Sequence, residues 1–393
     1  MSLRSKFYRH QTSVIHGRYM KYILYIFLDF FIMTPKYKTW QEQIKHTITS
    51  VEELSKYLPL SNKEKEELLK VTKKFPLRVT PYFLSLINPK DKKDPLRLQV
   101  LPSAGELIEE KGEELVAWDK EACYAVKGIE HKYPDRVAFL VTRNCASYCR
   151  HCVRKVMCED VKGLNLTELT FEEIDNAIDY IKKHNVIWDI LLTGGDMLMI
   201  SDKKLEYILK KLREVKHVKI IRIATRTLAY LPQRITPELV KMVSKYQTEE
   251  YPIYIGTQFN HPNEITEESK KACKLLSDAN FILYNQSVLL KGVNDDDKIL
   301  EELFKKLLCI KVRPYYLYHC MPVLGTKHLR TTVKKGVELM QKLQGRISGL
   351  AIPQYIIASK EGGKIPVPYR EIKFLDGRVK AVNYEGKEIT YFE

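Results

Sequence analysis

Three closely spaced cysteines are the feature of this 393-residue chain that most directly indicates chemistry. Cys145, Cys149 and Cys152 form a CxxxCxxC pattern. Three thiolates can bind three irons of a [4Fe-4S] cluster and leave the fourth iron open to a substrate or cofactor, whereas four thiolates would saturate it. A structural zinc site is the alternative, and His151 could then supply the fourth ligand.

A glycine-containing turn and a later lysine are further candidates. Gly194, Gly195 and Asp196 follow a predicted strand. The two glycines would let the backbone approach a ligand closely, and the aspartate could accept hydrogen bonds from an ammonium group. Lys364 follows two glycines and could hold a phosphate or form a Schiff base. A lysine in an exposed hairpin would show the same local sequence.

The elements that must position these residues follow a regular alternation. After the first unit, short β-branched runs and amphipathic helices repeat about every 30 residues from residue 135 onward. Strands are predicted at 137–142, 189–193, 218–223, 252–258, 281–290 and 311–318. Helices are predicted at 171–184, 203–215, 237–246, 266–279, 295–308 and 333–343. Such βα repeats predict an α/β fold with a parallel sheet and functional groups at the carboxyl ends of the strands.

The number of units predicts a partial (β/α)6 TIM-like barrel, with an extra strand near 354–358. A helical region precedes it, in which Ser61 is predicted to cap a helix with an acidic first turn. The predicted segments are an N-terminal segment at 1–36, the helical region at 37–125, the partial barrel at 126–360 and a C-terminal segment at 361–393 that contains Lys364 and strands. The first contains an apolar run that is short for a bilayer span and is interrupted by Asp29. Met33 is an alternative start of translation, because the polar residues after it are typical of the N-terminus of a soluble protein.

Composition restricts the kinds of partner. Hydrophobic residues make up 45% of the chain and charged residues 29%, as in a soluble globular protein. The net charge is +16, but the 65 basic residues are interleaved with 49 acidic ones and form no arginine-rich tract. We therefore expect neither a nucleic-acid partner nor a membrane. The eight cysteines show no disulfide framework, which predicts reduced thiols and a cytoplasmic location.

Several sequence blocks together resemble one enzyme family. They are HKYPDR at 131–136, the cysteine stretch at 145–154, LTGGD at 192–196, LPQRITPEL at 231–239, FNHPNEITEES at 259–269, NQSVLL at 285–290, RPYY at 313–316 and GGK at 362–364. From about residue 40 to 392 the chain resembles the lysine 2,3-aminomutases, which are radical S-adenosylmethionine (SAM) enzymes that also use pyridoxal phosphate (PLP). The resemblance implies a radical SAM barrel and an isomerase that interconverts an α-amino acid and its β-amino acid.

The resemblance also implies roles for individual residues. The cluster ligands would be Cys145, Cys149 and Cys152, and the SAM-binding residues Gly194, Gly195, Asp196, Asn285 and Gln286. Lys364 would bind PLP covalently, and the phosphate would be held by Tyr133, Arg136 and Lys132, the last at a position that is usually arginine. Arg154 would pair with the substrate carboxylate, and Tyr318 would lie near the reacting centre. A reductant such as flavodoxin or ferredoxin and a homo-oligomer are expected as well.

Two departures from the family pattern concern the substrate and a metal. Where the lysine enzymes hold the distal ammonium with two aspartates, this chain has Met321 and either Ala358 or Ser359. Removing the partners of a buried ammonium costs about 3–5 kcal/mol, so an uncharged or apolar substrate side chain is predicted. Glu361 could still reach an ammonium, which leaves lysine as an alternative.

Longer members of the family bind zinc with a C-terminal cysteine cluster and one cysteine from a neighbouring subunit. This sequence lacks that cluster and has Asp296 at the position of the single cysteine, so no zinc is expected. Cys158, Cys273, Cys309 and Cys320 are interpreted as structural thiols.

Two other interpretations of the function of this protein stay open. A radical SAM enzyme that modifies RNA or protein would not need Lys364, and a noncatalytic iron–sulfur protein would not cleave SAM.

Overall fold

The computed structural model describes residues 37–110, 113, 124–155, 168–359, 363–368, 370, 372–376, 378–383 and 385–392. The predictions for residues 1–36, for Cys158 and for Glu361 lie outside these ranges. Within them, no helix combines the length and the apolar character that crossing a bilayer requires.

Short capped helices make up the region before the barrel. They are α1 (Trp40–Lys45), α2 (Val51–Leu54), α3 (Asn62–Lys74), α4 (Pro81–Ser85) and α5 (Pro95–Val100), followed by a 3-10 turn at Ala104–Leu107. Ser61 caps α3 as predicted, because its hydroxyl accepts from the backbone N–H of Glu64 and the Glu64 carboxylate accepts from that of Ser61. The proline-rich connections keep these helices short.

One ten-stranded sheet forms the barrel, with its strands in the order of the sequence. They are β1 (Tyr124–Val126), β2 (Ile129–Tyr133), β3 (Arg136–Thr142), β4 (Asp189–Gly194), β5 (Ile220–Ala224), β6 (Ile253–Thr257), β7 (Ile282–Leu289), β8 (Val312–His319), β9 (Gln354–Ser359) and β10 (Gly363–Pro366). Strands β3 to β9 are parallel, and β1, β2 and β10 run antiparallel to their neighbours. In the described part of the sheet β1 and β10 do not pair, so the predicted open, partial barrel is confirmed.

Helices connect the parallel strands. They are α6 (Phe171–Lys183), α7 (Asp202–Arg213), α8 (Thr227–Tyr230), α9 (Pro237–Ser244), α10 (Glu267–Asp278), α11 (Asp297–Cys309) and α12 (Val333–Leu343). Except for the short α8, each corresponds to a predicted helix within two residues at either end. Their apolar faces pack on the sheet, as Ile178 of α6 and Leu209 of α7 do, both fully buried.

The C-terminal strands divide between two sheets. Lys364 lies in β10, which pairs with β9 and so belongs to the barrel sheet. The predicted segment boundary at 360/361 therefore falls within a hairpin. Three further strands, β11 (Ile372–Leu375), β12 (Arg378–Val382) and β13 (Glu388–Phe392), form a separate antiparallel sheet.

Candidate active site

One cavity of about 660 Å³ runs along the inside of the partial barrel. Its lining includes most of the residues that the sequence predicted, namely Lys132, Tyr133, Arg136, Cys145, Cys149, Cys152, Arg154, Gly194, Gly195, Asp196, Gln286, Tyr318, Met321 and Lys364. A volume of this size suits small-molecule ligands. A more open depression of about 830 Å³ near Arg313 and Arg370 is lined by none of the predicted site residues.

The predicted residues enter this cavity from two ends. The cysteine loop follows β3 and the Gly194–Asp196 turn follows β4, both at the carboxyl ends of parallel strands. Arg136 begins β3, and Tyr133 ends the antiparallel β2, so both lie at the opposite end. Long strands thus separate the cysteines from the residues predicted to bind the PLP phosphate, and the cavity joins the two groups.

The cysteine loop is held by the helical region that precedes the barrel. The backbone N–H of Tyr148 donates to the carbonyl of Arg78 at 2.8 Å, and that of Arg150 donates to Gln99 at 2.8 Å. These bonds fix the loop from the side opposite the barrel. The N-terminal helices therefore help to form the cysteine site.

A fully buried carboxylate strengthens this attachment. Glu106, in the 3-10 turn, forms ion pairs with Arg150 and Lys155 at 2.5 Å each. The Arg150 guanidinium also donates to the carbonyl of Pro76 at 2.8 Å. Burial alone would raise the pKa of Glu106, but Arg150 and Lys155 hold it below its ordinary value. Glu106 thus compensates two buried cations on either side of Cys152.

Replacing Glu106 with glutamine is expected to lower the free energy of unfolding by about 3–5 kcal/mol, because two buried cations would lose their counter-charge. The carboxylate is ionised in the folded protein and its pKa is depressed, so its stabilisation is present above the unfolded pKa. It is lost as the pH falls through the folded pKa. Urea unfolding at several pH values measures both effects.

Glu109 provides the matched control for this substitution. It forms an ion pair with Lys74 but is 63% exposed, and exposed pairs contribute about 1 kcal/mol or less. Glu109→Gln should therefore leave the unfolding curve almost unchanged. Equal effects of the two substitutions would contradict the role of Glu106.

The sulfur atoms of the three cysteines face the cavity in different environments. Cys149 Sγ lies 2.8 Å from Arg226 Nη1 and 3.4 Å from the Tyr230 hydroxyl. Cys152 accepts a hydrogen bond from the backbone N–H of Arg154 at 3.3 Å. Burial, and next the neighbouring Cys149, raise the pKa of the Cys152 thiol to about 11. Metal binding would therefore have to displace a proton from this thiol.

Three cysteines that line one cavity, with a cation beside the sulfur of Cys149, fit an anionic iron–sulfur cluster. No three described His, Cys, Asp or Glu side chains converge closely enough to hold a single metal ion. His151 Nε2 faces the side-chain N–H groups of Gln258 and Arg226 at 2.9 and 3.4 Å and therefore accepts from them. Burial, with the Arg226 charge second, keeps the pKa of His151 well below its usual value, so this side chain is neutral.

The glycines after β4 allow two chain segments to approach each other. Gly194 has φ +123°, and Gly195 donates its N–H to the Thr142 carbonyl at 2.5 Å. A Cβ on Gly195 would lie 2.5 Å from the carbonyl oxygen of Asn144, in the cysteine loop. The sequence predicted glycine here for a close approach to a ligand. In the structure, the close neighbour is the backbone of the cysteine loop.

Asp196 lines the cavity, yet its carboxylate is already engaged. It accepts from Thr225 Oγ1 at 2.7 Å, from the Leu198 N–H at 3.0 Å and from the Arg226 N–H at 2.6 Å. Burial raises the pKa of this carboxyl. The side chain thus joins the ends of β4 and β5, which favours a positioning role for Asp196 over direct binding of an ammonium group.

Asn285 does not line the cavity, contrary to the expectation that it contacts SAM. Its side chain is buried and accepts from the Phe259 N–H at 2.7 Å. Its amide nitrogen donates to the Phe259 carbonyl at 3.1 Å and to Ser287 Oγ at 2.8 Å. Those bonds connect β7 to the loop after β6. The neighbouring Gln286 points the other way, as alternation along a strand requires, and lines the cavity.

Lys364 extends from β10 into an aromatic part of the cavity. Its Nζ lies 5.0 Å from the ring centroid of Tyr316 and 5.6 Å from that of Tyr318. Its backbone N–H donates to the Tyr133 hydroxyl at 3.1 Å. Burial first, then the charges of Arg222 and Arg136, lower the pKa of Lys364 to about 8. A larger fraction of this amine is thus neutral near pH 7 than for an ordinary lysine.

Cations surround the end of the cavity that lies away from the cysteines. The guanidinium of Arg136 lies 4.0 Å from the centroid of the Tyr133 ring and pairs with Asp135 at 2.7 Å. Arg222 donates to Asp189 at 2.8 Å. Positive groups, a phenol and a lysine of lowered pKa fit an aldehyde that carries a phosphate, as PLP does.

A buried carboxylate separates two of the predicted binding residues. Glu130 lies 3.8 Å from Lys132 Nζ and 3.7 Å from Arg154 Nη2. All three side chains line the cavity. The sequence singled out Lys132 and Arg154 but not the carboxylate between them.

The two substrate positions belong to one apolar cluster. Met321 and Val323 are buried, and Val153 and Ala358 pack against them. Met321 and Val153 line the cavity, and Ala358 supports them from β9.

Sequence reasoning missed several residues that hold the site. Arg226, Glu106 and Glu130 are buried charged residues, and Arg226 and Glu130 line the cavity. Arg226 lies two residues after the end of β5, where a charged residue after an apolar run could have been noticed. Glu106 completes a Ser103-x-x-Glu capping box, a local pattern that predicts the start of a helical turn but not a buried ion pair.

A parallel partial barrel with a three-cysteine loop at its carboxyl end defines the class of protein. The model of the Radical SAM superfamily matches residues 139–303, which include that loop and β4 to β7. Enzymes of this class bind SAM at a [4Fe-4S] cluster, and the three thiols of this chain fit that cluster.

Similar curated proteins narrow the class further. The chain is 46% identical over 356 residues to an L-lysine 2,3-aminomutase of Clostridium subterminale, covering 90% of this chain and 84% of that protein. It is 45% identical over 369 residues to a putative L-lysine 2,3-aminomutase of Aquifex aeolicus, covering 92% and 97%. It is 43% identical over 355 residues to a glutamate 2,3-aminomutase of Clostridioides difficile, covering 90% and 82%. The chain belongs to the lysine 2,3-aminomutase family of radical SAM isomerases.

Proposed function

We propose that this protein is an amino acid 2,3-aminomutase that uses PLP at Lys364 and acts on an amino acid with an uncharged, apolar side chain. The observation that carries the proposal is that Lys364 and the three cysteines line the same cavity. A radical generated at one end could act on a molecule attached at the other. PLP, when bound, supplies an imine link through which an amino group can migrate between adjacent carbons.

Lys364 has the properties that covalent attachment requires. Only the neutral amine can attack an aldehyde, and a pKa near 8 leaves about one-tenth of the amine neutral at pH 7. The Tyr316 and Tyr318 rings beside Nζ form apolar walls that exclude water. Burial keeps the pKa of Tyr318 well above its usual value, so its phenol stays protonated.

The polar end of the substrate would be held by Arg154. A guanidinium binds a carboxylate through two parallel hydrogen bonds, and this side chain lines the cavity near the cysteine loop. Glu130 lies 3.7 Å from it, too far for a hydrogen bond but close enough to orient the guanidinium by charge. Lys132 and Arg136, with Tyr133, would bind the PLP phosphate.

The apolar cluster supports the proposed substrate class. Met321 and Val153 line the cavity and would contact the far end of a substrate side chain, with Val323 and Ala358 packed behind them. An ammonium or carboxylate placed there would lose its hydration without gaining a counter-charge from these residues. This argument favours apolar amino acids over lysine and glutamate.

The direct test is anaerobic reconstitution with iron, sulfide and PLP, followed by incubation with SAM, a one-electron reductant and separate amino acids. The panel should contain lysine, glutamate, leucine, valine and alanine. A β-amino acid formed from an apolar substrate supports the proposal. Turnover of lysine alone would reject the substrate class, and loss of SAM without any β-amino acid would favour an enzyme that modifies RNA or protein.

Flavodoxin or ferredoxin as the reductant, a homo-oligomer and a cytoplasmic location belong to the same proposal. The reductant and the homo-oligomer follow from the resemblance to the family, and the location follows from the cysteine pattern, which shows no disulfide framework. Activity with either purified electron carrier, and the mass of the protein in solution, test the first two.

Introducing aspartate at both substrate positions is expected to raise turnover of lysine relative to apolar substrates. In Met321→Asp with Ala358→Asp, two carboxylates would pair with the distal ammonium, where a buried pairing contributes about 3–5 kcal/mol. Comparison of kcat/KM for lysine and leucine measures the change. The control is Met321→Asn with Ala358→Asn, which adds polarity without charge. An equal gain in lysine turnover in the asparagine variant, or no gain in the aspartate variant, would contradict the pocket assignment.

A further inference from the structure

The guanidinium of Arg226 contacts the sulfur of a predicted cluster ligand. Its Nη1 lies 2.8 Å from Cys149 Sγ, within hydrogen-bond distance. Arg226 is buried and lies in the loop after β5. This strand is the neighbour of β4, which leads into the Gly194–Asp196 turn.

The remaining N–H groups of this guanidinium are also used. Nη2 donates to Gln99 Oε1 at 2.6 Å and lies 3.3 Å from Glu264 Oε2, and Nε donates to the Gln258 carbonyl at 3.2 Å. The second Nη1 hydrogen is directed at His151 Nε2 at 3.4 Å. A planar group held through all five donors has little freedom to rotate.

Two further contacts fix the position of Arg226. The guanidinium lies 4.1 Å from the centroid of the Tyr230 ring, whose hydroxyl also approaches Cys149 Sγ at 3.4 Å. Its backbone N–H donates to Asp196 Oδ2 at 2.6 Å. Arg226 therefore connects the turn after β4 to the cysteine loop, through its backbone on one side and its side chain on the other.

We propose that Arg226 is a positioning residue that sets the reduction potential of the cluster by holding a buried positive charge and a hydrogen bond against Cys149. The reduced cluster carries one more negative charge than the oxidised cluster. A fixed cation stabilises the reduced form more, and a hydrogen bond to a cluster sulfur has the same direction of effect. The electron itself comes from an external one-electron reductant.

Glu264 allows a second test, in which the reduction potential of the cluster should shift the opposite way. This fully buried carboxylate accepts from the Asn260 N–H and the His261 N–H, each at 2.9 Å, and lies beside Arg226. It offsets part of the positive charge near Cys149. Removing its charge should therefore shift the cluster potential opposite to the shift caused by removing Arg226.

The test is a redox titration that measures the reduction potential of the reconstituted cluster. The amount of reduced cluster at each fixed potential is measured by electron paramagnetic resonance. In Arg226→Gln, the ratio of reduced to oxidised cluster at a given potential should fall about tenfold, which is about 59 mV for a one-electron couple. Arg226→Lys keeps the charge but not the geometry and should fall between wild type and Arg226→Gln. Glu264→Gln should raise the ratio.

Arg213 is the matched control. Its guanidinium donates only to backbone carbonyls, including those of Tyr246 at 2.6 Å and Tyr251 at 2.8 Å, near the amino ends of the strands. Arg213→Gln should cost stability without moving the potential. An unchanged potential in iron-loaded Arg226→Gln would overturn the proposal, and so would a shift of equal size in Arg213→Gln. If Arg226→Gln does not fold, Arg226→Lys and Glu264→Gln still test the proposal. An unchanged potential in both of these variants would overturn it.

The proposal requires the cluster but not the amino acid substrate. Iron content and the resonance signal of the wild-type protein show whether a cluster forms at all, before any variant is compared. A wild-type protein with a cluster but no aminomutase activity would leave the Arg226 experiment unaffected, so the two proposals fail separately.

Discussion

Lys364→Ala is expected to lower turnover by at least about 10³-fold, because the variant lacks the amine that would hold PLP during the reaction. In the structure, this amine is directed into the cavity beside Tyr316 and Tyr318, and its backbone is fixed by the Tyr133 hydroxyl. The visible absorbance of lysine-bound PLP should disappear. Borohydride reduction of the wild-type protein, followed by peptide mass analysis, should place the added mass on Lys364.

The pKa of Lys364 gives the same prediction a pH dependence. With a pKa of about 8, the neutral fraction of the amine rises about tenfold from pH 6 to pH 7 and levels off above pH 8. The rate of PLP capture by the apoprotein should follow this curve. An ordinary lysine, with a pKa near 10.4, would still be rising at pH 9.

Lys373 is the matched control, since it lies in the separate C-terminal sheet and is exposed. Lys373→Ala should retain PLP and activity. Retention of the PLP absorbance in Lys364→Ala, or its loss in Lys373→Ala, would show that the covalent attachment has been assigned to the wrong residue.

Cys152→Ser is expected to abolish the reductive cleavage of SAM, because a serine oxygen is a poor substitute for a thiolate on iron. Iron should fall from about four atoms per chain to below about one after desalting. Serine preserves the volume of the side chain and can accept the same hydrogen bond from the Arg154 N–H, so the loop should stay folded. Formation of 5′-deoxyadenosine measures cleavage separately from turnover of an amino acid.

Cys309 provides the comparison, because its thiol is exposed at the end of α11 and does not line the cavity. Cys309→Ser should bind iron and cleave SAM like wild type. A Cys152→Ser variant that keeps its iron and its cleavage activity would mean that the three-cysteine loop does not bind the cluster.

Much of the fold was predictable because hydrophobic periodicity follows from burial. Helix Val333–Leu343 begins and ends where the sequence pattern predicted it, since Leu339, Met340 and Leu343 bury one face. Strands were predicted in segment 361–393, but the pairing of β11 to β13 in a separate sheet was not, because short strands with exposed residues carry no burial signal that indicates where they pack.

The candidate site was predictable to a smaller extent. The types of Cys145 and Lys364 indicated the chemistry, because few residue types can bind iron or form an imine. Met321 indicated the substrate class, because its side chain carries no charge to pair with an ammonium. Asn285 shows the limit. It is a polar residue within β7, as predicted, but alternation along the strand directs its amide toward Phe259 and directs Gln286 into the cavity.

The sequence by itself determined the three cysteines, the parallel βα repeat and the resemblance that led to an aminomutase. These depend on residue type and spacing, which are properties of the chain alone. Only the tertiary structure decided that Arg226 contacts Cys149, that Glu106 compensates two buried cations and that the Lys364 amine has a lowered pKa. Those properties arise from charges that are distant in sequence and are brought together where water is excluded, so no local pattern encodes them.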